Sequence, residues 1–177
     1  MRIIAGKLGG RIFDSPGGHR THPMSDKVRG GLFNALGDIT GLTVLDAFAG
    51  SGALSFEAVS RGAKSAITIE PDKRAHTTIV KNVVTLGLGE QVQVIKAYCA
   101  SWSNRHPNDT FDLILLDPPY DNLQINDIEK LVRHMHTDSI MVVSWPGKLD
   151  RLELRGLRII SNKGYGDAQL AFYVLAA

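Results

Sequence analysis

Apolar runs of strand length alternate with segments of helical periodicity along most of this chain. In the helical segments, apolar residues recur every three or four positions, as they do on one face of a helix. Strands are predicted over residues 42–48, 65–70, 91–97, 111–117 and 139–145, and helices over residues 53–62, 72–87 and 125–135. Two further runs, 156–163 and 168–176, predict an antiparallel pair of strands. This order predicts an α/β, Rossmann-like fold with a mainly parallel seven-stranded sheet and an antiparallel last strand.

The first 40 residues follow a different pattern. Two short β-prone runs within residues 2–14, with glycines between them, predict a small hairpin. A helix is predicted to begin at Ser25 and Asp26. We therefore divide the chain into an N-terminal basic extension, residues 1–40, which is not an independent domain, and an α/β domain, residues 41–177.

Composition and charge narrow the range of functions. The 177 residues suit one domain, Cys99 is the only cysteine, and no apolar run approaches the roughly 20 residues of a membrane span. We expect a cytoplasmic protein without an internal disulfide. The net charge is +2, but residues 1–31 hold six basic and two acidic side chains. This uneven distribution indicates a polyanionic partner, although an ordinary solvated surface would have the same composition.

A glycine-rich turn follows the first predicted strand, in the segment VLDAFAGSGALS. Asp46, Gly50, Ser51 and Gly52 fall beyond the carboxyl end of that strand, where open α/β sheets bind ligands. The turn lacks the Gly-Lys-Ser/Thr of a P-loop, and the Asp46 carboxylate would repel a pyrophosphate. Glu70 ends the next strand, at the distance usual for an acid that binds ribose hydroxyls. A positively charged adenosine ligand without phosphates is S-adenosylmethionine; the alternative is a turn that only packs a helix.

The strand over residues 111–117 runs into Asp117-Pro118-Pro119-Tyr120. The prolines lack N–H donors and fix the backbone, so the loop is stiff and its carbonyls lack local partners. The Asp117 carboxylate and the Pro118 carbonyl could accept both N–H bonds of an exocyclic amine on a base, which favours the pyramidal nitrogen that attacks a methyl group. Tyr120 could stack on the same base. The alternative is that the prolines only terminate a strand.

These motifs are similar to those of a known family. DAFAGSGALSFEAVSRGA and DPPY resemble the class I S-adenosylmethionine-dependent methyltransferases that modify exocyclic amines. RIIAGKLGGR, THPMSDKVRGGLFNAL and YGDAQLAFY resemble the RsmD family, bacterial methyltransferases of the guanine N2 amine in 16S ribosomal RNA. The resemblance covers nearly the whole chain. It implies the class I methyltransferase fold and a 16S rRNA substrate, either naked or within the small ribosomal subunit.

The resemblance also implies roles for individual residues. The catalytic residues would be Asp117, Pro118, Pro119 and Tyr120. The cofactor-binding residues would be Asp46, Phe48, Ala49, Gly50, Ser51, Gly52, Glu70, Pro71 and Tyr98. The RNA-binding residues would be Arg2, Lys7, Arg11, Arg20, His22, Lys27 and Arg29. No acid lies near Tyr98 to meet the adenine amine, so backbone groups of Ala97 and Tyr98 are expected to serve.

The N-terminal extension departs from the family pattern. His22-Pro23-Met24-Ser25-Asp26 stands in place of Arg-Pro-Thr-x-Asp, and Gly30 stands where the family often has glutamate. Three alternatives stay open: an adenine-N6 methyltransferase of DNA or RNA, a nucleic-acid-binding module without activity, and a small-molecule methyltransferase. The chain leaves no room for the added target-recognition domain of a DNA enzyme.

Other residues with reactive or aromatic side chains predict no further chemistry. His134 and His136 are not accompanied by the other ligands of a metal site, so no metal is predicted. Trp102 and Trp145 are interpreted as packing residues, and Cys99 as buried at the sheet edge. One base pocket per chain makes a monomer sufficient.

Overall fold

Seven strands and five α-helices form the part of the chain that the computed structural model describes, residues 1–17, 23–122 and 124–177. The strands are β1 (Thr43–Asp46), β2 (Ser65–Ile69), β3 (Val92–Ile95), β4 (Phe111–Leu116), β5 (Met135–Pro146), β6 (Leu157–Tyr165) and β7 (Ala168–Leu175). The helices are α1 (Asp26–Leu36), α2 (Ala53–Ser60), α3 (Lys73–Leu86), α4 (Cys99–Arg105) and α5 (Ile125–Lys130), and a 3₁₀ turn spans Leu131–His134. Within these ranges, no helix is both long and apolar enough to cross a membrane.

The strands form one sheet in the order β3-β2-β1-β4-β5-β7-β6. Strands β1 to β5 are parallel, and β7 is antiparallel to both of its neighbours. The predicted Rossmann-like fold is therefore confirmed. Strands β2 and β3 follow outward from β1 on one side of the sheet, and β5, β7 and β6 follow outward from β4 on the other. The ends of β1 and β4 consequently flank the position where open α/β sheets bind ligands.

Alternate residues of the central strands pack against different helix layers. In β4, Leu113 and Leu115 belong to the apolar cluster that contains Phe56 of α2. Ile114 belongs to a second cluster, which contains Trp102 of α4. Because both faces are covered, this strand is a continuous apolar run without polar alternation. The predicted packing role of Trp102 is confirmed, since it is only 1% exposed.

The structure differs from the prediction on both sides of β4. The sequence pattern does not predict α4, because its seven residues are too few to show a helical period. Cys99, expected at the sheet edge, is buried at the start of this helix. The helix predicted over residues 125–135 ends at Lys130, and β5 already begins at Met135. The buried ring of His134 fixes the intervening 3₁₀ turn by hydrogen bonds to α4 and to the loop that follows it.

The N-terminal extension is attached to α2 by backbone hydrogen bonds. The predicted hairpin is present as a narrow loop with one antiparallel bridge, between Arg2 and Ile12. The buried Glu57 carboxylate accepts hydrogen bonds from the N–H groups of Ile4 and Ala5, at 2.8 and 3.1 Å. An acid of α2 therefore positions the first strand-like run of the hairpin.

Further contacts continue along the hairpin. Gly6 has a φ of 82°, and a Cβ at this position would collide with the Ser60 carbonyl of α2. The Ser60 hydroxyl accepts a hydrogen bond from the Leu8 N–H at 2.9 Å. The backbone N–H and carbonyl of Asp14 both bond to the side-chain amide of Asn82 in α3, at 3.0 and 2.8 Å. The hairpin is thus a layer packed on α2 and α3 rather than a free arm.

Candidate active site at the carboxyl ends of the strands

Three acidic residues lie at the carboxyl edge of the sheet. Asp46 ends β1, Glu70 directly follows β2, and Asp117 directly follows β4. These three strands are adjacent and parallel, so their carboxyl ends lie side by side. The charges interact, because Asp117 and Glu70 both contribute to a raised pKa of Asp46. The edge therefore concentrates negative charge around the glycine turn.

Asp46 is fully buried, and only one of its carboxylate oxygens is satisfied by the described residues. Its Oδ2 accepts hydrogen bonds from the N–H and hydroxyl of Ser55, at 3.2 and 2.8 Å. Its Oδ1 has no hydrogen-bond partner in the described part of the chain. Burial, with smaller effects of Asp117 and Glu70, raises the pKa of Asp46 to about 7 against the lowering effect of Ser55. An unpaired acceptor with negative character fits a cationic donor such as an ammonium group.

The glycine turn leads from β1 into α2. Gly50 and Gly52 have φ values of 54° and 79°, which favour glycine. A Cβ on Gly52 would also lie only 2.9 Å from the Phe56 ring, whereas a Cβ on Gly50 would meet open space. Packing against Phe56 therefore requires a glycine at position 52, whereas the space beside Gly50 is open. Ala49 and Ser51, the other predicted residues of the turn, are buried, and Phe48 is half-buried.

Glu70 connects the turn after β1 with the start of α3. Its Oε2 accepts a hydrogen bond from the Gly50 N–H, and its Oε1 accepts one from the Asp72 N–H, both at 2.8 Å. Burial raises the pKa of Glu70, and these two hydrogen bonds offset part of the rise. A carboxylate oxygen can accept a second hydrogen bond. Glu70 therefore has remaining capacity for a hydroxyl donor after it has fixed the glycine turn.

The predicted adenine-side residues occupy the same edge with less enclosure. Pro71 follows Glu70 and is half-buried. Tyr98 lies just before α4, in the loop that follows β3, and 72% of its surface is exposed. Its ring makes no hydrogen bond that caps α4. The expectation that backbone groups of Tyr98 contact an adenine remains a prediction.

The Asp-Pro-Pro-Tyr loop lies across the edge from Asp46. Desolvation raises the pKa of the Asp117 carboxyl group to about 6, and the nearby Ser144 hydroxyl offsets part of this rise. Pro118 is buried, whereas Pro119 and Tyr120 are exposed. The Tyr120 hydroxyl lies 2.6 Å from the Ser144 hydroxyl, in hydrogen-bond contact. The loop thus places a desolvated carboxylate and a partly exposed ring at the same edge of the sheet as Asp46.

Ser144 is a site residue that the sequence reasoning missed. It lies in β5, is 2% exposed, and has neighbours Val143 and Trp145 that are also buried. β5 pairs with β4 such that Val143 is opposite Leu116, so Ser144 comes next to Asp117. A polar residue near the carboxyl end of an apolar strand, beside the strand that carries Asp117, is the signal that could have identified it.

The structure contradicts one of the predicted RNA contacts. Arg29 is fully buried in α1, and its guanidinium donates hydrogen bonds to the Arg2 carbonyl at 2.7 Å and to Asp26 at 3.0 Å. Its Nε lies 3.7 Å from the buried Glu57 carboxylate. Arg29 therefore cannot contact a phosphate, because it serves as the internal counter-ion between α1 and α2.

The other basic positions of the extension are accessible where the structure describes them. Lys7, Arg11 and Lys27 are exposed, and Arg2 stays 67% exposed at its side chain although it pairs with Asp26 at 2.9 Å. Two further predicted contacts, Arg20 and His22, lie outside the described residues. The departure at Gly30 has no steric cause, since a Cβ there would make only an ordinary contact with Ile4 at 3.8 Å.

His134 and His136 each have a partner within the fold. The His134 ring bonds to the Asp109 carbonyl at 2.6 Å and to the Ser103 hydroxyl at 2.8 Å. His136 lies 3.1 Å from Asp112. Across residues 1–17, 23–122 and 124–177, no group of three or more His, Cys, Asp or Glu side chains is arranged to hold a metal ion. Trp145 is 9% exposed, which confirms its predicted packing role.

The fold and this edge together define a class of protein. The antiparallel β7, the glycine turn after β1, the acid after β2 and the Asp-Pro-Pro-Tyr loop after β4 are jointly typical of class I methyltransferases. The family follows from sequence comparison: the family model described as Conserved hypothetical protein 95 matches residues 1–174, and the chain belongs to this family. Its curated relatives include ribosomal RNA small subunit methyltransferase D proteins, so the resemblance predicted from the motifs is confirmed.

Individual relatives agree with this assignment. The chain is 32% identical to YlbH of Bacillus subtilis (strain 168), which is named provisionally as an rRNA methyltransferase, over 98% of both chains. It is 36% identical to ribosomal RNA small subunit methyltransferase D of Escherichia coli (strain K12), over 68% of this chain and 60% of that protein. A solved structure of yhhF from Escherichia coli, described provisionally as a methyltransferase, matches 100% of this chain and 98% of its own with a TM-score of 0.86 and 29% identity.

Proposed function

We propose that this protein transfers a methyl group from S-adenosylmethionine to the exocyclic N2 amine of a guanine in small-subunit ribosomal RNA. The observation that carries the proposal is the pairing of two acceptor sites at one sheet edge. Asp46 offers an unpaired buried oxygen beside the glycine turn, and Asp117 offers a desolvated carboxylate beside a partly exposed ring. The names of the relatives support rRNA as the substrate class.

S-adenosylmethionine fits the residues around the glycine turn. The Asp46 Oδ1 atom would accept a hydrogen bond from the methionine ammonium, and Glu70 would accept from the ribose hydroxyls. Backbone groups of Ala97 and Tyr98 would meet the adenine. The concentration of acids suits a ligand that carries both an ammonium and a sulfonium charge. When bound, the cofactor supplies a methyl group that is activated by the sulfonium.

The Asp-Pro-Pro-Tyr loop would hold the amine and accept its proton. One N–H of the guanine N2 group would donate to Asp117 and the other to the Pro118 carbonyl, while Tyr120 stacks on the base. As the nitrogen–methyl bond forms, N2 becomes more acidic and must lose a proton. A carboxylate whose pKa is raised to about 6 is well matched to accept it near neutral pH. Asp117 would then act both as an orienting acceptor and as a general base.

The ionised form of Asp117 favours guanine over adenine. Guanine presents N1–H and N2–H side by side, so two donors face the two oxygens of a carboxylate. Adenine presents one donor and one acceptor on the corresponding edge, and its N1 would face a carboxylate oxygen without a proton between them. A base inside folded RNA must first be turned out of its stack to reach this loop.

The N-terminal extension would dock the RNA. Arg2, Lys7, Arg11 and Lys27 are exposed on the hairpin and on α1, and they would contact phosphates. The hairpin is fixed to α2, so this surface is held in place before RNA arrives. We assign residues 1–40 to RNA docking and residues 41–177 to cofactor binding and catalysis.

The test is methyl transfer from labelled S-adenosylmethionine to small ribosomal subunits that lack the modification. Wild type should produce labelled N2-methylguanosine, and Asp117→Ala should produce almost none. Asp121→Ala is the matched control, because Asp121 is an exposed acid four residues further on and should retain activity. Labelled N6-methyladenosine as the product would overturn the guanine assignment. Transfer by Asp117→Ala at the wild-type rate would overturn the site.

A further inference from the structure

The hydroxyl of Ser144 is hydrogen-bonded to the loop that is proposed to bind the base. It is 2.6 Å from the Tyr120 hydroxyl and belongs to a residue that is only 2% exposed. The pairing of Leu116 with Val143 places Ser144 beside Asp117 across the junction of β4 and β5. Ser144 therefore contacts one of the two groups that the proposed reaction uses to hold the base, Tyr120, and is adjacent to the other, Asp117.

A serine hydroxyl can serve both neighbours at once. It has one donor proton and two acceptor lone pairs, so it can donate to a carboxylate while it accepts from a phenol. The Ser144 hydroxyl is hydrogen-bonded to the Tyr120 hydroxyl at 2.6 Å, and its presence lowers the pKa of Asp117 against the opposing effect of burial. Ser144 thus lies between the loop ring that it contacts and the carboxylate at the end of the neighbouring strand.

We infer that Ser144 is a positioning residue of this site, which holds the Tyr120 ring at a fixed place beside the Asp117 carboxylate. The inference rests on the proposed function. Tyr120 lies in a loop and is 42% exposed, so its ring needs an anchor to be ordered before a base arrives. Binding to a ring that is already fixed avoids the entropic cost of ordering it.

The Ser144 side chain can be tested separately from the fold. The residue pairs with Leu170 of β7 through the backbone, and an alanine would keep that pairing. Replacing the hydroxyl by hydrogen removes the hydrogen bond to Tyr120 and the hydroxyl beside Asp117. Ser144→Thr restores a hydroxyl on a residue type that strands accommodate well.

The first readout uses the protein without substrate. The Asp117 carboxyl would be titrated by carbon-13 NMR, and the Tyr120 phenol by its ultraviolet absorbance relative to Tyr120→Phe. Ser144→Ala should raise the pKa of Asp117 and shift that of Tyr120, and Ser144→Thr should restore both. Ser161→Ala, a serine change in β6 of the same sheet, should alter neither. Unchanged titrations in Ser144→Ala would overturn the inference, whether or not RNA is the substrate.

The second readout is a mutant cycle in the methyl-transfer assay. Loss of one hydrogen bond predicts a fall in kcat of roughly 2- to 12-fold for Ser144→Ala, without a change in KM for S-adenosylmethionine. Ser144→Ala combined with Tyr120→Phe should lose no more than Ser144→Ala alone, because Ser144→Ala already removes the contact that Tyr120→Phe removes. Additive losses would overturn the shared anchor. Absence of transfer by wild type would instead count against the proposed function. The titrations alone would then test the role of Ser144.

Discussion

Replacing Asp46 by asparagine should stabilise the ligand-free protein at alkaline pH while it removes cofactor binding. The asparagine side chain would keep an oxygen that can accept from Ser55, but the change would remove a negative charge from a fully buried position. The substitution separates two roles of this residue. One is the cost to folding of an ionised buried acid, and the other is its use as a partner for a cationic ligand.

The size of the effect follows from the pKa of Asp46. A rise from 3.8 to about 7 is about 3 pKa units, or roughly 4 kcal/mol at about 1.36 kcal/mol per unit. The raised value means that the folded state binds the proton more tightly than the unfolded state does. The associated stability is complete below 3.8 and is lost as the pH rises through about 7. Wild type should therefore carry the full cost only above neutral pH.

Urea unfolding of wild type and Asp46→Asn across this pH range checks the prediction. The variant should be more stable above pH 7 or so, and the two proteins should converge as the pH falls toward the unfolded value. Excess S-adenosylmethionine should stabilise only wild type, by about 2.7 kcal/mol at a hundredfold excess over Kd. Asp121→Asn is the control, because that acid is exposed. A stability difference that does not change with pH would refute the reasoning.

Three further predictions concern Asp117 and the extension. Methyl transfer should slow as the pH falls through about 6, because protonation of Asp117 removes an acceptor for the amine; a pH–rate profile without this acid limb would contradict its role. Arg29→Ala should lower the free energy of unfolding in urea by roughly 3 kcal/mol, since it removes a buried cation from Glu57. Lys27→Ala should leave the urea midpoint unchanged and make RNA binding less salt-dependent. Equal midpoints for Arg29→Ala and wild type would count against the buried ion pair.

The sheet and the ligand-binding edge were predictable because both depend on local patterns. Each core strand is an apolar run of its own, and the glycine turn and Asp-Pro-Pro-Tyr follow two of them directly. The boundary between α5 and β5 was not predictable. The ring of His134 fixes it through Ser103 and Asp109, which are more than 20 residues away in sequence. A periodic pattern contains no information about such a distant partner.

The side-chain partners of Arg29 and Ser144 were hidden for the same reason. Arg29 stands among other basic residues, so its sequence context is that of a surface cation. Its burial depends on Glu57, 28 positions later, which becomes a neighbour only when α1 packs on α2. The place of Ser144 in the site depends on its contact with Tyr120, which is 24 residues away in sequence. Strand ends can be located from the sequence. The side chains that meet between neighbouring strands can be identified only when the register of the sheet is known.

The acids of the core divide into two groups by their partners, and this division supports the assignment of the site. Glu57 is fully buried with Arg29 and Arg61 beside it and two backbone N–H donors, so its charge is compensated within the fold. None of the acids at the sheet edge forms an ion pair with a Lys, Arg or His of the described chain.

Such an uncompensated cluster lowers the stability of the ligand-free protein, because each desolvated acid is harder to ionise than it is in water. Asp46, Glu70 and Asp117 all have a raised pKa, and Asp46 also keeps an unpaired oxygen. A cation bound beside them would offset that cost and lower the same pKa values. Ligand binding and proton release should therefore be coupled, which calorimetry of S-adenosylmethionine binding in buffers of different ionisation enthalpy would detect.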